Sequence, residues 1–262
     1  MAETGRLSAP AAPPIAPVTL VRVAIIVFVL LFWEALARSG LLFRDVVPSL
    51  TVIGGALVEL LADPTYYRHL GVTAGEIGIA LGVGGVAGLA VGIALGGSRL
   101  LARAFEPYLY YLGPTPKIIF FPLMIMWFGV GPGSKVAMGV ISCFFPVALS
   151  AAAGMRGIDK VLIKVGRSFR AGTWAMVTKI YLPAMRAPII NGVRLGLGVA
   201  IIGTLLAETK LSNRGVGFLV INAYSTFNMP RMYALLIVVF VLSIGANALV
   251  GRLGGVGDIK RA

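Results

Sequence analysis

One cysteine and one histidine stand in 262 residues. Cys143 alone can close no disulfide within the chain, and Cys143 with His69 cannot assemble a Cys/His zinc cluster. Charge is scarce as well: 13% of residues are charged, against about 25% in a typical soluble domain. Acids are the scarcer sign, with 10 Asp and Glu against 23 Lys and Arg. Paired carboxylates, or a histidine base beside a nucleophile, therefore have few residues to draw on. No G-x-x-x-x-G-K-[ST] run occurs, so no phosphate loop is present. The glycines of 82–97 are no substitute, because no strand precedes them. Uphill movement of a solute would take its energy from a partner or an ion gradient.

What fills the chain is apolar. Hydrophobic residues make up 58% of it, and the mean hydropathy is +0.93. That excludes a disordered chain and argues against a soluble enzyme. At about 20 residues per span, the pattern predicts an all-α polytopic membrane protein with about six transmembrane helices. The predicted spans are 20–37, 77–97, 108–130, 136–153, 189–207 and 232–250. Ala35-Leu36-Ala37 mimics a signal-peptide cleavage site, but the proline-rich leader and the later spans favour an uncleaved first helix. Residues 1–19 read as a disordered cytoplasmic tail, 20–251 as the membrane domain and 252–262 as a cytoplasmic C-terminal tail. Residues 49–61 read as a short amphipathic helix and 208–230 as a polar loop. In a soluble protein the net charge of +13 would suggest nucleic acid. In a membrane protein it follows the positive-inside rule. With both termini inside, the inner segments hold 14 Lys and Arg and the outer ones seven, while Lys117 and Arg194 fall within spans. No nucleic-acid partner is expected.

Three local features carry more. Gly84, Gly88, Gly92 and Gly96 recur every four residues and predict a ridge on which another helix packs closely. Pro114, Pro116 and Pro122 interrupt the third span around Lys117, where broken backbone can line a cavity. Lys117 either attracts an anion there or snorkels to the cytoplasmic interface. Glu208 ends the fifth span and braces it or meets solute. The inner loop 154–185 is basic, and Val161, Leu162, Val165, Phe169 and Trp174 are spaced as on a surface helix. Such a helix either lies on anionic lipid or docks a cytoplasmic partner.

Several runs resemble the permeases of binding-protein-dependent ABC importers. Ile180-Tyr181-Leu182-Pro183 matches the end of that family's cytoplasmic loop, E-A-A, three residues, G, nine residues, I-x-L-P. Lys164, Val165 and Gly166 then occupy the E-A-A positions and Arg170 the glycine. Pro122-Leu123 through Trp127-Phe128-Gly129-Val130-Gly131, Phe144-Phe145-Pro146, Gly192-Val193-Arg194, Ala207-Glu208 and Gly215-Val216-Gly217-Phe218 are similar to the nitrate/sulfonate/taurine branch. The resemblance implies a type I importer permease in a bacterial inner membrane. It implies partners: a second permease copy, two cytoplasmic ATPase subunits and an external solute-binding protein. ATP hydrolysis then belongs to the ATPases, and the permease needs no cofactor or metal. It implies an ATPase-coupling segment of Lys164, Val165, Gly166, Arg167, Ser168, Phe169, Arg170, Ala171, Gly172 and Trp174, with Lys117 and Glu208 as pathway or gate candidates. The solute class stays open between small anions and vitamin precursors. A stand-alone secondary transporter or channel is the alternative, although the two halves show no convincing repeat.

Overall fold

The computed structural model describes residues 16–40 and 46–253. Of the expected tails 1–19 and 252–262, residues 1–15 and 254–262 lie outside the described residues. Residues 16–19 are helical, so the first helix starts before the expected boundary. The chain divides into two units, Met1–Gly55 and Ala56–Ala262.

In the first unit, α1 (Ala16–Arg38) is apolar and long enough to cross a bilayer. Its C-terminal turn is fastened locally. Glu34 pairs with Arg38 at 2.6 Å and accepts the backbone N–H of Leu50 at 2.9 Å. Leu50 opens α2 (Leu50–Ala62), the short helix the sequence predicts.

The second unit is built on α3 (Pro64–Gly97), α6 (Pro132–Arg156) and α10 (Arg186–Glu208). Asp63 caps α3 by accepting the Thr65 N–H at 2.9 Å, and Pro64 sits in the first turn, where its missing donor costs nothing. At 34 residues α3 is about 50 Å long, so it begins well before the apolar run that marks the second span. The glycine ridge packs on α6 of the same chain. A Cβ on Gly84 would lie 2.8 Å from the Val140 carbonyl oxygen, one on Gly88 2.8 Å from that of Phe144, and one on Gly92 2.5 Å from that of Ala148. Both partners ascend in number, so α3 and α6 run parallel. Gly192, Gly196 and Gly203 of α10 meet α6 in descending order, so α10 is antiparallel to both.

The third span is broken. It comprises α4 (Arg99–Leu112), a 3₁₀ turn at Lys117–Phe120, and α5 (Phe121–Phe128), with a 94° bend. Gly113 is still helical (φ −55°, ψ −51°), but Pro114 and Pro116 bring no backbone donors, so the helical ladder stops there. This pair returns the chain from the Gly97 end to the Pro132 end, which is what lets α3 and α6 run parallel.

The loop 154–185 is mostly helical. It contains α7 (Lys160–Ser168), α8 (Thr173–Met176), a π turn at Val177–Tyr181, and α9 (Leu182–Ala184). Segment 208–230 is not simply a polar loop. It contains α11 (Val216–Ser225), an apolar ten-residue helix, before α12 (Met229–Leu253). Ala234 and Leu235 of α12 pack with Tyr66, Val216 and Ala223 at one end. At the other end Arg194 Nε donates to Asn247 Oδ1 at 2.7 Å, so α12 is antiparallel to α10. With the bent pair counted as one span, up to six segments are long and apolar enough to cross a membrane.

Candidate functional site

The bundle has two chemically different ends. The Gly97–Arg156–Arg186 end carries the basic loop. Asp159 caps α7 by accepting the Val161 N–H at 2.8 Å. Gly166 is buried because α7 seats on Met176 and Ile180 there, and a Cβ would meet both side chains. The other face is bare: Phe169 is 83% exposed and Trp174 79%, beside half-exposed Val165. Lys164, Arg167, Ser168, Arg170 and Gly172 are exposed as well, while Ala171 is half-buried. The loop departs from helix by a Schellman turn. The Ala171 N–H donates to the Gly166 carbonyl at 3.1 Å and the Arg170 N–H to that of Arg167 at 2.9 Å. Arg170 takes the left-handed position, φ 50°. That is the position aligned with the motif's glycine, so backbone geometry keeps a conformation that the side chain disfavours.

At the break, Lys117 is held by its own segment. Its Nζ donates to the carbonyls of Gly113 and Thr115 and lies 5.2 Å from the Phe145 ring centroid. It borders an apolar cavity of about 430 Å³ together with Phe120, Met124, Trp127 and Phe144. The ammonium satisfies carbonyls that the broken helix leaves open.

At the opposite end Glu208 is buried, 1% exposed. It pairs with neither Lys210 nor Arg214 but joins three helices. Thr73 Oγ1 of α3 donates to Glu208 Oε1 at 2.7 Å, and the Gly217 N–H of α11 donates to Oε2 at 2.6 Å. The Val216 N–H donates to Thr73 Oγ1 at 2.8 Å, and the Gly215 N–H to His69 Nδ1 at 3.1 Å. Thus the first amides of α11, which no helix turn can satisfy, are taken by side chains of α3 and α10. Gly215 (φ 99°) makes the approach, and any Cβ there would collide with the Glu208 carboxyl. Through these contacts Glu208 ties α10 to α3 and α11.

Sequence reasoning missed Thr73, Glu76 and Lys135, although a signal for Glu76 existed. Stepping the glycine ridge back by four from Gly84 gives Ala80 and then Glu76. Glu76 is 5% exposed and adjoins the Glu208 carboxyl. Lys135 of α6 is 1% exposed, and its Nζ donates to the carbonyls of Val130, Gly131 and Leu211. It stitches the turn before α6 to the segment after α10.

The bundle thus presents an exposed basic face with apolar side chains at one end and a closed polar clasp at the other. The model of the family of binding-protein-dependent transport system inner membrane components matches residues 84–254. The taurine transport system permease protein TauC of Escherichia coli K12 is 32% identical over 80% of this chain and 77% of its own length. SsuC of Bacillus subtilis 168, named for aliphatic sulfonates transport, is 28% identical over 82% and 78%. The riboflavin transport system permease protein RibX of Chloroflexus aurantiacus is 26% identical over 90% and 86%. The chain belongs to the binding-protein-dependent transport system permeases, the multi-pass membrane component of ABC importers. It is a transport subunit rather than an enzyme, and the family works with ATPase and solute-binding partners.

Proposed function

We propose that this chain sits in a bacterial inner membrane and pairs with a second copy of itself to form the solute path. The segment from Lys164 in α7 to Trp174 in α8 seats in a groove of a cytoplasmic ATPase subunit. The observation that carries this reading is the bare apolar face of α7. Val165 and Phe169, one turn apart, and Trp174 stand exposed at the basic end of a bundle whose family works through such partners. An amphipathic helix laid into a groove uses this kind of anchor. The solute is a small anion or a vitamin-precursor-like molecule, delivered by an external binding protein. The names of TauC and SsuC support the first class and that of RibX the second.

The test is Phe169→Ala in the assembled transporter. Truncating a central aromatic anchor costs about 2 kcal/mol or more, roughly a 30-fold loss of affinity. The variant inserts normally, because its spans are untouched. It retains less ATPase subunit on purification and loses solute-stimulated ATP hydrolysis. Undiminished retention and transport would make α7 a lipid-surface helix instead. Mass spectrometry of the ligand carried by the partner binding protein decides the solute class.

A further inference from the structure

We propose that Glu76 and Glu208 hold one proton between them, and that this proton-bearing pair is the clasp fastening the start of α11 to α3 and α10.

The two carboxyls are brought together by the fold. Thr73, which donates to Glu208, lies three residues from Glu76 on the same face of α3, and both are buried. Glu208 has two donors, the Thr73 hydroxyl and the Gly217 amide. Glu76 Oε2 is buried with no hydrogen-bond partner. The cation in the same layer cannot serve it. Lys135 has three N–H donors, and the three carbonyls of Val130, Gly131 and Leu211 take them. His69, the other titratable group of α3 facing α11, uses Nδ1 as an acceptor for Gly215. Helix α11 offers this layer backbone amides only. An ionised carboxylate accepts and cannot donate, so two ionised groups side by side repel and leave Oε2 unsatisfied. With one proton on the pair, Glu76 donates to Glu208 and the unpartnered oxygen is accounted for. The buried layer then holds one negative charge against Lys135, which meets the requirement that buried charge be balanced.

The layer is built to stay dry. One turn deeper, Ala80, Gly139 and Thr204 meet. A Cβ on Gly139 would lie 2.6 Å from both Ala80 Cβ and Thr204 Oγ1. Four residues outward from these three stand Glu76, Lys135 and Glu208, each at most 5% exposed.

Infrared spectroscopy of the full chain in lipid vesicles at neutral pH tests the inference, and it needs neither ATPase nor solute. The expected spectrum has one carboxylic-acid C=O band per chain. The band shifts on ¹³C-glutamate labelling, persists after brief exchange into D₂O, and disappears in Glu76→Gln. Among the described glutamates, Glu34 and Glu106 are ion-paired and Glu59 is exposed, so an exchange-resistant glutamic acid band belongs to the buried pair. If Glu76→Gln does not fold, the labelled wild type still decides. Carboxylate bands alone, as a bound sodium ion or a bridging water would leave, overturn the proposal. An acid band unchanged in a folded Glu76→Gln overturns it as well.

Discussion

Substituting Gly92 with alanine tests whether the α3–α6 contact holds the bundle together. The added Cβ would lie 2.5 Å from the Ala148 carbonyl oxygen and 2.5 Å from Ala151 Cβ, where ordinary contact starts at 3.4 Å. Both obstacles are held by the backbone of α6 and cannot swing aside, so the helices must part by about 1 Å. Overpacking of this kind costs about 1–3 kcal/mol. Alanine's better helix propensity returns about 0.5–1 kcal/mol. Gly85 is the internal control: it lies in the same helix, and its Cβ would meet nothing within 4 Å in this chain. Gly85→Ala therefore keeps the propensity gain without the clash. The two variants should differ by roughly 2 kcal/mol, a factor of about 30 in the unfolding equilibrium. Reversible unfolding in mixed detergent micelles reads this difference directly. Gly92→Ala unfolding at the same denaturant level as Gly85→Ala would refute the packing argument.

Arg170→Gly removes the left-handed strain at the end of α7 and should stabilise the turn by about 1 kcal/mol, read as slower amide exchange at Ala171. A cysteine placed at Ser212 in a Cys143→Ala background should label from outside the cell and one at Ser168 should not; the reverse result overturns the orientation. Asp63 adds a pH effect. The Thr65 hydroxyl and then the Thr65 amide hold its carboxyl below the usual range, and Arg231 adds to this. A depressed folded value contributes stability above the ordinary carboxylate pKa of about 3.9. That contribution is lost as pH falls through the lower folded value. Asp63→Asn should therefore flatten the acid side of the stability profile while keeping the α3 cap.

The spans were legible because hydropathy is a local property. So was the ridge, whose four-residue period is written in one segment. The surface helix in loop 154–185 also follows from short-range spacing, whereas Arg170 was marked only by the resemblance to the family's loop motif. Other features were not local. The prolines announce an interruption of the third span, but the 94° bend depends on where α5 seats against α6. Segment 208–230 reads as polar because Lys210, Ser212, Asn213 and Arg214 precede a helix only ten residues long. The clasp joins residues 135, 143 and 146 positions apart, and no window of sequence contains such a pairing.

Ridge and clasp are nevertheless one design. Glu76, Ala80, Gly84, Gly88, Gly92 and Gly96 form a single stripe on α3, and α6 is held against most of its length by the absence of side chains. Close approach in the glycine turns draws the helices together two turns above Gly84, where Glu76, Lys135 and Glu208 sit, and that proximity helps to keep water from them. A wedge in the upper ridge, such as Gly84→Leu, should therefore act on the clasp before it unfolds the bundle. It should wet Glu76, free the first amides of α11, and raise their exchange rates while the far end of α3 stays protected. Equal loss of protection along the whole of α3 would show that packing and clasp are separate, and that the polar layer is dry for some other reason.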